Sequence, residues 1–322
     1  MEIKEVILDS EKEKVKKFLK TFALEYDDDL DYSLYISEDD KVIGTISRSA
    51  NIIKAFAVSK KYKGSLASQL ISEMIKNIFK NGYHFYQAYT KPEIKPIFES
   101  LNFYEIISSE KVSLLESKNR NINQVLENIK VSNNLVSNNT ACIVMNCNPF
   151  TLGHLYLIKH AAKLHDLVII FLVEEEKSYF SFQDRLQMVK KGIKGIDNVA
   201  VIGSSNYLIS SLTFPTYFLK QENIQVEEQA MLDTLIFKKY FVPIFALKKR
   251  YLGSEEDLVT KKYNNILNEE LAEFIEIIPR KKLLGKNISA TTVRKYLKEK
   301  DFDGIKELVP KSTYDFLIKK YG

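Results

Sequence analysis

Tryptophan is absent from this chain of 322 residues, and cysteine occurs only twice, at Cys142 and Cys147. Two such residues, with no further Cys or His at zinc spacing, argue against a disulfide framework and against a Cys-ligated metal. They read as small buried residues of an apolar strand, and the pattern suits a reducing cytoplasm. No apolar run is long enough to span a bilayer. The opening "MEIKEVILDSEKEKVKKF" is charged from the start and has no signal-peptide apolar region. Neither G-x-x-x-x-G-K-[ST] nor G-x-G-x-x-G occurs, which sets aside the common ATPases and the dinucleotide-binding dehydrogenases. A dominant charge is missing too. With 47 basic and 42 acidic residues the net charge is +5, and no basic tract marks a nucleic-acid surface. An anionic substrate fits that mild excess equally well. Internal repeats and low-complexity tails are also absent.

What is present is apolar residues, at 45% of a length that suggests two domains. The first stretch reads as α+β. "EKEKVKKFLKTFAL" places Val15, Phe18, Leu19 and Phe22 on one helical face. "YSLYISEDDKVIGTISRSANIIKAFAV" reads as strands with acidic and glycine turns. "SLASQLISEMIKNIFKNGY" is a helix with Leu66, Leu70, Met74, Ile75 and Ile78 inward and Gly82 as its stop. "HFYQAYT" reads as a strand, and "KPEIKPIFESLNFYEI" as a short helix leading into a last one. Residues 1–117 are therefore one domain, and the Asn- and Ser-rich 118–138 is a partly helical connector. Residues 139–322 alternate strand and helix. "ACIVMNC" and "LVIIFLVEE" are nearly continuous apolar runs, as strands covered on both faces require. "SFQDRLQMVKKGI" and "SATTVRKYLKEKD" read as helices. This βαβ order predicts a doubly wound parallel sheet with its ligand at the carboxyl ends of the strands.

Three stretches carry chemistry. In "NPFTLGH", Gly153 and His154 fall at the first turn of a helix that directly follows a strand. Free N–H groups and the positive dipole end suit a phosphate there. An imidazole at that place can donate to a phosphate oxygen as charge shifts to leaving pyrophosphate. The competing explanation is a capping turn with an incidental His; His160 and His165 read as packing or surface residues. In "NISATTVR", Ser289 is an N-cap, and Thr291 and Arg294 share a helix face, giving a second anion site. In "RYLGSEEDL", Gly253 and Ser254 end a strand where N–H groups can meet adenine or ribose. Of Glu255, Glu256 and Asp257, at least two read as a solvated loop. Together these stretches point to nucleotidyl transfer by positioning and charge stabilisation, with a divalent cation held mostly through the phosphates.

"NPFTLGH" followed by "ISATTVR" resembles the HxGH nucleotidyltransferase superfamily and its ISxTxxR element. "CIVMNCNPFTLGH", "SFQDRLQMVKKG", "SSLTFPTYFLK" and "YLGSEEDLVTKKYN" resemble its citrate lyase ligase branch across 139–322. The resemblance implies a cytidylyltransferase-like, HUP-type Rossmann-like domain. It implies that ATP and acetate give acetyl-adenylate and pyrophosphate, after which a thiol takes the acetyl group. That thiol belongs to the CoA-like prosthetic group of the acyl-carrier (gamma) subunit of citrate lyase. By motif match, His154, Ser289, Thr291 and Arg294 hold ATP phosphates, with His154 and Arg294 catalytic. Asn148, Phe150, Thr151 and Gly153 shape the pocket, Gly253 and Ser254 lie near the nucleoside, and Arg185 is carried over from the helix after the second strand. Thr151 stands where the superfamily has its first His, a substitution that fits the ligase branch. ATP is thus substrate, Mg2+ or a similar cation its companion, and no protein metal site is implied.

The N-terminal stretch resembles GNAT acetyltransferases, in "AFAVSKKYKGSLASQLISEMI" and "YTKPEIKPIFESLNFYEI". Gly64 and Ser65 fall in the loop that cradles a pyrophosphate in that family, and Leu66 replaces a second small residue. The expectation is that Leu66 obstructs the backbone there, so that the loop docks the CoA-like arm rather than turning over acetyl-CoA. Two alternatives stay open. One is an adenylyltransferase of the phosphopantetheine or nicotinate-nucleotide type. The other is an acetyltransferase with a regulatory nucleotide domain. Neither nucleic acid nor membrane is expected as a partner, and the expected compartment is the cytoplasm.

Overall fold

A computed structural model describes residues 2–27, 30–62, 64–174, 178–205, 207–209, 214, 222–283 and 285–322. They fall into two compact units, Met1–Gln124 with Thr213–Leu232, and Val125–Leu212 with Asp233–Gly322.

The first unit runs β1 (Ile3–Glu5), α1 (Asp9–Lys20), β2 (Tyr32–Glu38), β3 (Lys41–Ser49), β4 (Ile52–Val58), α2 (Ser65–Lys80), β5 (Gln87–Thr90), α3 (Lys95–Glu99), β6 (Phe103–Ser108) and β7 (Ser113–Ser117). Its seven-stranded sheet has the order β1-β2-β3-β4-β5-β7-β6. All neighbours are antiparallel except β4 and β5, which are parallel and pair only at Ile52–Gln87 and Ile53–Ala88. Alternation along the strands sends Leu34, Ile36, Ile46 and Ile53 to one face, where α2 contributes Leu66, Leu70, Met74 and Ile78. Of the inward residues expected of α2, Leu66, Leu70, Met74 and Ile78 are buried, whereas Ile75 is only partly buried against the core, and the chain turns at Gly82, with φ +83°. One expectation fails. Leu66 is 4% exposed and part of this core, so its side chain does not cover the loop at Gly64. The obstruction expected of it is absent, because the first turn of α2 rolls position 66 inward.

α4 (Ile122–Ser132) occupies much of the segment read as a connector. The second unit then continues with β8 (Thr140–Met145), α5 (Leu152–Ala162), β9 (Leu167–Leu172), α6 (Phe182–Gly192) and β10 (Val199–Gly203). α7 (Glu222–Ile236) follows; its early residues belong to the first unit, where Glu228 accepts from Ser109 Oγ at 2.5 Å. Next come α8 (Val242–Phe245), β11 (Leu247–Gly253), α9 (Leu258–Glu270), β12 (Ile275–Ile278), the two-stranded β13 (Lys282–Leu283) and β14 (Lys286–Asn287), α10 (Ala290–Glu299), α11 (Phe302–Lys306) and α12 (Lys311–Tyr321). The five-stranded sheet β10-β9-β8-β11-β12 is parallel throughout. The apolar runs of β8 and β9 are buried because helices cover both faces; Ile143, Ile169, Ile170 and Phe171 are at most 1% exposed. The α+β unit followed by a doubly wound parallel sheet is the fold class expected from sequence. Strand order reverses between β8 and β11, so their carboxyl ends flank a crevice where the chain leaves in opposite directions.

Among the described residues, no helix is long and apolar enough to cross a membrane. The stretch "SSLTFPTYFLK" lies largely outside the described residues.

Candidate active site

The turn after β8 answers why a His begins α5. Thr151 is the N-cap, and its hydroxyl accepts the N–H of His154 at 3.4 Å. In return His154 Nδ1 accepts the N–H of Thr151 at 3.0 Å. This is a capping box in which imidazole replaces the usual Glu or Gln. The bond to Nδ1 assigns the ring proton to Nε2, leaving Nε2–H as a donor. Burial, aided by the nearby Arg280 guanidinium, pushes the imidazole down to about 4, so it is neutral at physiological pH. Phe150 stacks on the ring at 5.9 Å between centroids and is itself fully buried. Thr151, 2% exposed, thus has its hydroxyl committed to orienting His154.

Phe150 is in turn wedged against Gly192, the last residue of α6. A Cβ there would lie 2.4 Å from Phe150 Cε1. A fully buried ring has no space to retreat, so Gly192→Ala is expected to destabilise the chain by about 1–3 kcal/mol in urea unfolding. It should also disturb the stacked imidazole.

The second helix terminus lies against the first. A Cβ on Gly153 would be in ordinary contact with the Ile288 carbonyl, at 3.6 Å. Ser289 caps α10 by accepting the N–H of Thr291 at 3.1 Å. Arg294 joins the two stretches: Nη1 donates to the Asn148 carbonyl at 2.5 Å and Nη2 to Thr291 Oγ1 at 3.0 Å. Asn148 Oδ1 accepts the N–H of Phe180 at 3.1 Å, which fixes the loop before α6. The first-turn N–H groups of Gly153, Ala290 and Thr292 have no protein acceptor among the described residues. Two positive helix ends with free donors therefore adjoin.

Gly253 ends β11, but the Ser254 N–H expected to be free for a nucleoside instead donates to the Ile278 carbonyl at 2.9 Å, because β12 continues alongside. Asp257 caps α9 through the N–H of Thr260 at 2.8 Å. Glu256 and Asp257 are exposed, as expected, whereas Glu255 pairs with Arg280. Arg280 is the residue the sequence reading missed. Nothing in "PRKKLLGK" distinguishes it from the neighbouring lysines.

Arg185 is not brought to the crevice surface. It is fully buried, and Nη1 donates to the carbonyls of Asn146 and Val173 at 2.9 and 2.8 Å and to Asn146 Oδ1 at 2.8 Å. Nε donates to the Phe180 carbonyl at 3.2 Å. Its guanidinium holds the loops at the ends of β8 and β9. His160 and His165 stand apart, around Tyr251, with His165 Nε2 at 2.9 Å from the Tyr251 hydroxyl. Gly64 and Ser65 belong to the other unit; both are exposed, and a Cβ added at Gly64 would meet no described atom within 4 Å beyond its chain neighbours. Burial pushes Cys142 up to about 12 and raises Cys147 as well, so neither is poised as a nucleophile.

A parallel sheet whose order reverses beside two helix N-termini, an imidazole and Arg294 defines a doubly wound α/β protein with these groups gathered at the switch point. Residues 140–317 match the citrate lyase ligase C-terminal domain. The chain is similar to the citrate (pro-3S)-lyase ligase of Haemophilus influenzae, 33% identical over 320 residues, covering 95% of this chain and 94% of the relative. It is also 33% identical over 314 residues to that of Escherichia coli, covering 94% and 89%. A shorter likeness, 38% identical over 64 residues, links 19% of the chain to 41% of a Campylobacter curvus phosphopantetheine adenylyltransferase. The chain belongs to the citrate lyase ligase family.

Proposed function

We propose that the chain is an AMP-forming acid–thiol ligase that acetylates the prosthetic thiol on the acyl-carrier subunit of citrate lyase. The observation that carries this is the end-to-end match to the Haemophilus influenzae ligase, 95% of one chain on 94% of the other. In the first step an acetate oxygen bonds to the α-phosphorus of ATP, and the bond to the β-phosphate oxygen breaks. In the second the carrier thiol, giving up its proton, attacks the acetyl carbonyl, and AMP leaves.

His154 Nε2–H, the free N–H groups of α5 and α10, and Arg294 are the donors toward the phosphates, with Ser289 and Thr291 at the same helix end. Asn148, Phe150 and Gly153 shape the pocket. Thr151 and Arg185 serve it indirectly, one orienting the imidazole and the other holding the loop carbonyls. Gly253 and Ser254 take the nucleoside end. Gly64 and Ser65 are assigned to the CoA-like arm. A divalent cation enters with the triphosphate. In this proposal the phosphates are its ligands. Both cysteines are buried, which agrees with an acceptor thiol on another chain and with a cytoplasmic setting.

The test is exchange of labelled pyrophosphate into ATP. Exchange is expected only when acetate is present. Exchange that ignores acetate but requires a phosphopantetheine or nicotinate nucleotide would instead establish the adenylyltransferase alternative.

A further inference from the structure

Arg280 follows β12 and has no role in the assignment above. Its guanidinium is held on the protein side, with Nε donating to the Ser254 carbonyl at 2.7 Å and Nη2 to the Glu255 carboxylate. Its backbone N–H donates to Ser254 Oγ at 3.0 Å. The pair straddles the ends of β11 and β12, and Arg280 lies close enough to His154 to depress the imidazole. The two side chains are 28% and 23% exposed, so a ligand can reach them.

Two features distinguish the pair from an ordinary surface ion pair. The Ser254 carbonyl fixes the direction of the guanidinium, and Nη1 has no protein acceptor among the described residues. The acidic loop is fixed as well. Glu256 accepts from Asn287 Nδ2 at 2.5 Å, just ahead of α10, and Asp257 is locked as the α9 cap. A carboxylate is thus set against an aimed cation at the rim of an anion-binding crevice. A triphosphate carries more charge than one carboxylate and offers planar pairs of oxygens that match a guanidinium. Exchanging one anion for the other leaves no buried charge unpaired, because Glu255 can turn to water.

We propose that Arg280 is a further phosphate-binding residue of this site and that Glu255 is its gate, holding the guanidinium until nucleotide displaces it. The inference rests on the crevice being an ATP site. Calorimetric titration of the full chain with ATP and Mg2+ tests it. Arg280→Gln is expected to raise the Kd about tenfold or more, the loss of one charge-assisted contact. Glu255→Gln is expected to lower the Kd several-fold, since the competing anion is gone. Unchanged affinity in Arg280→Gln, or weaker binding in Glu255→Gln, overturns the proposal, because a purely structural pair would shift both variants the same way or neither. Glu255→Gln is isosteric and leaves the Ser254 bonds in place, so it decides the matter even if Arg280→Gln folds poorly. A wild-type chain that binds no ATP would instead remove the ATP reading itself.

Discussion

His154→Ala is expected to lower acetate-dependent pyrophosphate exchange by about 10²–10³-fold, the usual cost of one preorganised donor to developing charge. The residue contributes in two ways, and they can be separated. Alanine removes the acceptor for the Thr151 N–H as well as the Nε2–H donor, so the helix cap should weaken by about 1 kcal/mol. His154→Gln keeps a capping-box residue at that position. Urea unfolding of the Gln variant should therefore lie near wild type while exchange stays low. Near-wild-type exchange in either variant removes His154 from its proposed role. The pH dependence follows from the depressed imidazole. Between an ordinary value near 6.5 and about 4, the unfolded chain takes up a proton that the folded chain refuses. This contribution to stability is whole above 6.5 and declines as pH falls through that window. Exchange should accordingly show no acid limb at 6.5 arising from His154. A histidine titration near 6.5 followed by NMR at that ring would contradict the geometry.

The second large effect belongs to Arg294. Arg294→Ala should weaken ATP binding about tenfold to a hundredfold and lower stability by ~1–3 kcal/mol, because it removes a charged donor from a partly buried carbonyl. One guanidinium spans the Asn148 carbonyl and Thr291 Oγ1, contacts that link segments far apart in the chain. Arg294→Lys keeps the charge but cannot make both bonds, so it should recover stability better than affinity. Calorimetry beside urea unfolding reads the two losses separately. Equal recovery of both would mean that the residue only fastens the two loops together.

What the sequence made legible was local. The apolar runs of β8 and β9 forecast a sheet covered on both faces, and Ser289 sat where a helix starts because its oxygen satisfies a first-turn N–H group. What stayed hidden depends on strand adjacency. Arg280 meets Glu255 only because β12 lies beside β11, and no spacing in "PRKKLLGK" encodes that neighbour. Arg185 matched a motif, yet its long side chain runs under the loops and bonds their carbonyls, a direction that residue type does not specify. Leu66 was misread for a related reason. Its position in a glycine-containing loop suggested obstruction, whereas the helical phase of α2 turns it into the core.

The capping box at His154 has a consequence for how the two chemical steps divide their labour. With Nδ1 occupied by the Thr151 N–H and Nε2 carrying the proton, the neutral ring has no lone pair left to receive another. It can polarise, but it cannot deprotonate. Forming the mixed anhydride needs no proton removed from ionised acetate, so a ring of this kind suffices. Thioester formation does require an ionised sulfur. The group that takes that proton must therefore be sought away from this imidazole, at whatever surface receives the carrier.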